Sequence, residues 1–245
     1  MKLRSLFLAV AGALLLVAAF VPRANACENC NLLVYYNFEG TPTTGFPVNM
    51  TSKAPGALIG LQLMTDYPPA ELSSETGIAL NVAPGDLQPN LVGLGLSHSG
   101  QAGARHFDTV FPSFGGNVFY DVTCVSFAIN ALGNGFTSAR VGWSLDGGAT
   151  FTFTAAQVVP TAGSLILDFN IPSGTTISST NLVIRIELSG GKSNGTDVQN
   201  ILDNIQICGT VVPEPATVGA GLLGVLGLCW HQRRRLIRSV RFRRA

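Results

Sequence analysis

An all-β antiparallel sandwich is the fold class that three features of this sequence predict. Short runs rich in Val, Ile, Leu, Phe and Thr recur between Gly, Pro, Asn and Ser turn residues. Near the end one run alternates cleanly: Leu182, Ile184, Ile186 and Leu188 share one face, while Arg185 and Glu187 share the other, as in a half-buried strand. Outside two apolar ends no stretch shows a helical period. The expected strands are Leu32–Phe38, Ala57–Met64, Ile78–Val82, Leu91–Leu96, Val118–Ile129, Ala139–Leu145, Thr150–Thr154, Leu165–Phe169, Leu182–Leu188 and Ile201–Cys208. Regular spacing with turn signals between them argues for a sandwich.

The two ends have a different chemistry. Residues 1–26 read as a signal peptide, with Lys2 and Arg4 before an apolar run from Leu6 to Phe20 and the small-residue site Ala24-Asn25-Ala26. Residues 218–230 are uncharged and are followed by Arg233, Arg234 and Arg235, the pattern of a stop-transfer helix whose basic tail, 231–245, stays in the cytoplasm. Thirteen helical residues span only about 20 Å, short of the ~30 Å hydrocarbon core, although arginine can snorkel to the headgroups. Between the ends, residues 27–210 make one domain, and 211–217 a proline-containing linker.

Charge separates the same parts. Residues 27–215 hold five basic and fourteen acidic side chains, a net charge of −9, whereas seven arginines crowd the tail. A domain so acidic has no basic footprint for nucleic acid. Of five cysteines, Cys229 lies in the apolar run, and Cys27, Cys30, Cys124 and Cys208 lie in the exported part, where disulfides persist. Four cysteines allow three connectivities. Cys27 and Cys30 have C-x-x-C spacing, for which a structural disulfide is favoured over a redox or zinc role.

Catalytic patterns are weak. Ser97, His106 and Asp108 make a triad only on paper, with His98 and His106 expected in a Gly/Ser-rich loop. Gly219, Gly221 and Gly224 match G-x-G-x-x-G but lie in the apolar run with no preceding strand, which excludes dinucleotide binding. Trp143 is expected in the core.

Three local patterns resemble known families. Ser144, Asp146, Gly148, Thr150 and Phe151 match S-x-D-x-G-x-T-F and resemble an Asp-box, a hairpin device in which the carboxylate accepts backbone N–H groups and Phe151 packs under the turn. Val212, Pro213, Glu214 and Pro215, followed by the Gly/Leu-rich run and the arginine cluster, resemble the PEP-CTERM sorting signal. That resemblance implies an exosortase-type processing protease as partner, a membrane-anchored precursor, and a final place at the cell surface or in an exopolysaccharide matrix. A permanent membrane anchor is the alternative.

The outer strands, Tyr36-Asn37-Phe38-Glu39-Gly40 and Ile201-Leu202-Asp203-Asn204-Ile205, resemble the first and last strands of galactose-binding-like jelly rolls, the fold of many carbohydrate-binding modules. The resemblance implies that the two strands pair antiparallel, with Phe38 facing Ile201 and Asn31 facing Cys208, which brings Cys30 within disulfide reach of Cys208. It also implies a structural calcium held by Glu39 and Asp203, whose oxygen shell Asp197 or the carbonyls of Asn37 and Asn200 would complete. Strand parity places Asp203 inward with Ile201, Ile205 and Ile207, where a carboxylate needs a cation or donors; backbone N–H groups or Arg185 are the alternative to calcium. The functional expectation is a non-enzymatic exported protein that binds a polysaccharide or other surface polymer. A secreted glycan hydrolase and a purely structural matrix protein are the alternatives.

Overall fold

The computed structural model describes residues 27, 31–38, 48–49, 61–83, 92–97, 99–101, 103–111, 118–132, 135–176, 181–194, 198–213 and 223–231. In chain order the strands are β1 (Leu32–Tyr36), β2 (Val48–Asn49), β3 (Gln62–Thr65), β4 (Leu72–Glu75), β5 (Gly93–Leu96), β6 (Ser99–Gln101), β7 (Arg105–Val110), β8 (Val118–Ala131), β9 (Ser138–Ser144), β10 (Thr152–Phe153), β11 (Gln157–Val158), β12 (Gly163–Asn170), β13 (Val183–Ser189), β14 (Lys192–Asn194) and β15 (Asn200–Pro213). They form two antiparallel sheets, as the alternating pattern requires. Sheet A has the order β12-β8-β15-β5-β4, with β1 lying beyond β5 on the same edge of β15. Sheet B has the order β10-β9-β13-β7-β3-β2, with β11 also on β9. The short pair β14-β6 stands apart.

One apolar layer joins the sheets. Phe127, Ile129, Leu167, Leu202 and Ile207 of sheet A meet Leu63, Phe107, Val141, Ile184 and Ile186 of sheet B in a single buried cluster. Alternation along β13 works as expected, with Ile184, Ile186 and Leu188 inside and Arg185 and Glu187 outside. Trp143 is partly buried against this core.

The long ladder between β8 and β15 carries two bulges. The first adds a residue to β15 at Asn204, which takes φ +49°. It reverses the facing of the strand: Leu202 points into the core before it, and Ile205 and Ile207 point there after it. Unbroken parity is therefore wrong for Asp203, which lies with Ile201 on the outer side of sheet A, although it is fully buried there. The second bulge, between Cys208 and Gly209, adds a residue to β8. A Cβ on Gly209 would come 2.1 Å from the Asp121 carbonyl oxygen, so only glycine permits this approach.

Segment 76–83 covers the outer side of sheet A. The expected strand Ile78–Val82 is not a strand but a strap, because side chains of the sheet take its backbone groups. Ile78 packs there on Ala128 and Ile201. Conversely, His106 lies in strand β7 rather than in a loop, since Arg105–Val110 alternates with Phe107 inside.

First and last strands pair antiparallel, but the register is shifted from the expected one. Leu32 rather than Asn31 faces Cys208, and a further irregularity follows before Val34 faces Ile207. Cys27 is bonded to Cys124, and Cys208 is also disulfide-bonded. β15 runs on to Pro213, so Val212 and Pro213 stand opposite Phe119 and Val118. Glu214 and Pro215, the signal segment 1–26, Cys30 and the arginine tail lie outside the described residues. The expected membrane span at 218–230 is described only as a helix over residues 223–231, and among the described residues no helix is long and apolar enough to cross a membrane.

Cys27–Cys124 closes a sequence separation of 97, worth about 4–5 kcal/mol in the chain-entropy description. With Cys27 and Cys124 paired and Cys229 free, only Cys30 is left for Cys208. Non-reducing peptide mapping should find Cys27 with Cys124 and Cys30 with Cys208. A Cys27–Cys30 peptide would contradict this arrangement.

Candidate functional site

The outer face of sheet B collects charged and aromatic side chains in rows, because alternation on four neighbouring strands turns the same parity outward. One row runs Gly142, Arg185, Asp108 and Met64 across β9, β13, β7 and β3, with Phe153 of β10 opposite Gly142. Its neighbour runs Arg140, Glu187 and His106. Arg185 grips Asp108 with two bonds, Nε to Oδ1 at 2.8 Å and Nη2 to Oδ2 at 2.7 Å. Arg140 donates from Nε at 2.8 Å and lies at 2.7 Å from Nη2, both to Glu187 Oε1.

Each guanidinium also lies over a ring. Arg140 is 3.9 Å from the centre of the Phe153 ring, and Arg185 is 3.9 Å from that of Phe151. The two rings stand 5.9 Å apart. Glycine at 142 is required for this arrangement, since a Cβ there would lie 2.7 Å from two carbons of Phe153. At the far side Asp66 accepts the His106 N–H at 2.9 Å, and its other oxygen lies 3.2 Å from His106 Nδ1. The half-buried, bidentate Arg185–Asp108 pair holds its geometry better than exposed pairs do. The result is a rigid face that presents donors, acceptors and ring edges together. Met64 and Val110 are exposed on it.

The hairpin 144–151 buttresses one end. Asp146 Oδ1 accepts the Thr150 N–H at 2.9 Å and the Ser144 hydroxyl at 2.6 Å, and Oδ2 accepts the Thr150 hydroxyl at 2.6 Å. Ser144 Oγ in turn accepts the Gly148 N–H at 2.7 Å. Gly147 and Gly148 take φ +74° and +96°, open to glycine and costly for other residues. Phe151 lies below Gly148, with ring carbons 3.8 Å from where a Cβ would stand. Hydrogen bonds from Ser144 and Thr150 hold the Asp146 carboxyl well below its ordinary value.

Other expected site residues are placed as follows. Asp203 Oδ2 accepts the Ile78 N–H at 2.7 Å and Oδ1 the Asn204 N–H at 2.8 Å, so donors offset its desolvation. Its two expected calcium partners, Glu39 and Asp197, lie outside the described residues. Ser97 follows β5, and its hydroxyl donates to the Glu71 carbonyl at 3.0 Å. His106 and Asp108 are on the outer face of the other sheet, with His106 Nε2 3.7 Å from Asp108 Oδ2. The paper triad is not assembled. His98 lies outside the described residues.

Sequence reasoning missed Phe153, Arg140, Asp108 and Met64 as members of one face. The alternation in Arg105–Val110, with His106 and Asp108 on one side of Phe107, was the available signal.

No protein-family model and no curated protein matches the chain. Similar folds occur among solved structures. The CBM22-2 xylan-binding domain of Paenibacillus barcinonensis Xyn10C is 10% identical over 72% of this chain and 99% of that one, with TM-score 0.41. A carbohydrate-binding module, CBM6cm-2, of Cellvibrio mixtus lichenase 5A is 10% identical over 73% and 98%, with TM-score 0.34. The module TmCBM61, in complex with β-1,4-galactotriose, is 11% identical over 78% and 99%, with TM-score 0.35. The fold assignment rests on the two sheets themselves.

The depressed carboxyl of Asp146 makes a pH prediction. A group whose folded value lies below its unfolded one, near 3.8, contributes stability above that value and loses it as pH falls through the folded one. Below about pH 4 the native chain should lose stability that Asp146→Ala, already weaker at neutral pH, no longer has to lose. Equal acid slopes in thermal unfolding of the two would contradict the role of the hairpin carboxylate.

Proposed function

We propose that the chain is an exported, non-catalytic surface or matrix protein whose domain holds a polysaccharide against the outer face of sheet B. The observation that carries the reading is the row Phe153, Arg185, Asp108 and Met64 beside the row Arg140, Glu187 and His106. Four strand spacings of ~4.8 Å give such a row about 19 Å, long enough for several units of an extended polymer. Planar, paired charged groups offer donors and acceptors in fixed directions, and ring edges with Met64 offer apolar contact, the combination a polyhydroxylated ligand needs. The separation of Ser97 from His106 and Asp108 favours binding over hydrolysis.

The address follows from the ends of the sequence. The signal-type N-terminus, the Val212–Pro215 motif, the apolar run and the arginine cluster support export and processing by an exosortase-type protease at the membrane. Helix 223–231 leaves Leu223, Leu226 and Trp230 exposed, in keeping with a segment that meets lipid before processing.

Protein recovered from outside the producing cells tests both parts. Its mass should lack residues 1–26 and the arginine tail, and it should be retained on the cells' own exopolysaccharide without releasing soluble sugar. Arg140→Ala and Phe153→Ala should each weaken retention about tenfold while keeping the β-sheet spectrum. Sugar release, or retention in both variants as strong as in the native protein, would overturn the binding face.

A further inference from the structure

The C-x-x-C pair is a motif that polysaccharide binding leaves unused. In the structure Cys27 Sγ, Cys124 Sγ and a carboxylate oxygen of Asp168 lie within 4.8 Å of one another. Cys208 packs in the same buried cluster and stands opposite Cys124 across the β8–β15 ladder. Asp168 reaches the cluster from β12, on the other side of β8, where it pairs with Ser126. Its Oδ1 is buried and has no hydrogen-bond partner among the described residues. Disulfide sulfurs carry no proton to donate to it. A buried acceptor without a donor is destabilising, and such an atom in a native fold calls for a proton, a water, an ion or a redox role.

Reduction changes what the cluster offers. For each disulfide, one phosphine and one water supply two electrons, two protons and the oxygen that leaves as phosphine oxide, and the bond becomes two thiols. Opening the Cys27–Cys124 bond frees the two thiols that lie beside Asp168. Cys124 of β8 and Asp168 of β12, with Cys27 of the N-terminal segment, then offer two thiols and a carboxylate from a cluster whose ligand atoms lie within 4.8 Å of one another, and a water fills the fourth position. Tetrahedral zinc, with bonds of ~2.3 Å to sulfur and ~2.0–2.2 Å to oxygen, takes such a set, and each thiol that ligates it releases its proton to solvent.

We propose that the reduced chain binds a thiophilic divalent cation of the Zn²⁺ class through Cys27, Cys124 and Asp168, beside Cys208. The cation takes over the role of the Cys27–Cys124 disulfide, fastening the N-terminal segment to the outer side of sheet A before oxidation. Cobalt is the probe. Co²⁺ titrated into the phosphine-reduced full chain should give thiolate-to-metal absorption saturating at one ion per chain, bleached by Zn²⁺ and absent from the oxidised protein. Cys124→Ser should weaken binding a hundredfold or more. Asp168→Ala should keep the thiolate band and weaken binding about tenfold. If reduction unfolds the chain, Zn²⁺ should restore the β-sheet circular dichroism. A reduced chain without the band, one that stays unfolded at saturating Zn²⁺, or equal affinity in Asp168→Ala overturns the proposal.

Discussion

Asn204 adds one residue to the last strand, and the arrangement of sheet A follows from it. With φ at +49° it adopts a backbone region that Asn tolerates better than most side chains. Its amide is fully used: Oδ1 accepts the Tyr35 hydroxyl at 2.7 Å, and Nδ2 donates to the carbonyls of Ile78 at 2.7 Å and Leu80 at 2.8 Å. Its carbonyl accepts Asn81 Nδ2 at 2.7 Å. Gln206 Nε2 adds a bond to the Asn81 carbonyl at 2.6 Å. One residue thus ties the first strand, the last strand and the strap together. Each of these groups, once buried, would cost roughly 1–3 kcal/mol if left without a partner.

The division of labour between the sheets follows. The outer side of sheet A is closed by the strap and by the cysteine cluster at the other end of β1. Charged and aromatic residues have gone to sheet B, where unbroken alternation on β7, β9 and β13 aligns them in rows. Hydrogen-bonded arginines over Phe151 and Phe153 keep that face in one conformation. A preformed face loses little entropy on binding, which suits recognition of a flexible polymer.

How far the sequence could be read depended on local regularity. β13 was legible because its period of two is unbroken, and the Asp-box hairpin because its turn chemistry is contained in eight residues, 144–151. The pairing of first and last strands was anticipated, but its register was not, since irregularities at Leu32–Val34 and at Asn204 shift the count. Asp203 was placed on the wrong side for the same reason: parity fails wherever a bulge intervenes, and no residue type announces one. The strap at Ile78–Val82 has the composition of a strand. What distinguishes it is that Asp203 and Asn204, more than a hundred residues away, take its N–H and C=O groups. The face of sheet B was hidden in the same way, because its members come from five strands and only adjacency in space makes them a site.

Hydrogen exchange at the Ile78 amide tests the governing role of Asn204 most directly. Asn204→Gly keeps a residue that accepts positive φ, so the bulge and the β8–β15 ladder survive while the side-chain bonds are lost. Exchange at Ile78 should be slow in the native chain and accelerate about a hundredfold or more in this variant, with the central amides of β8 still protected. Unchanged protection at Ile78 would show that the strap is held by other means and would contradict the account.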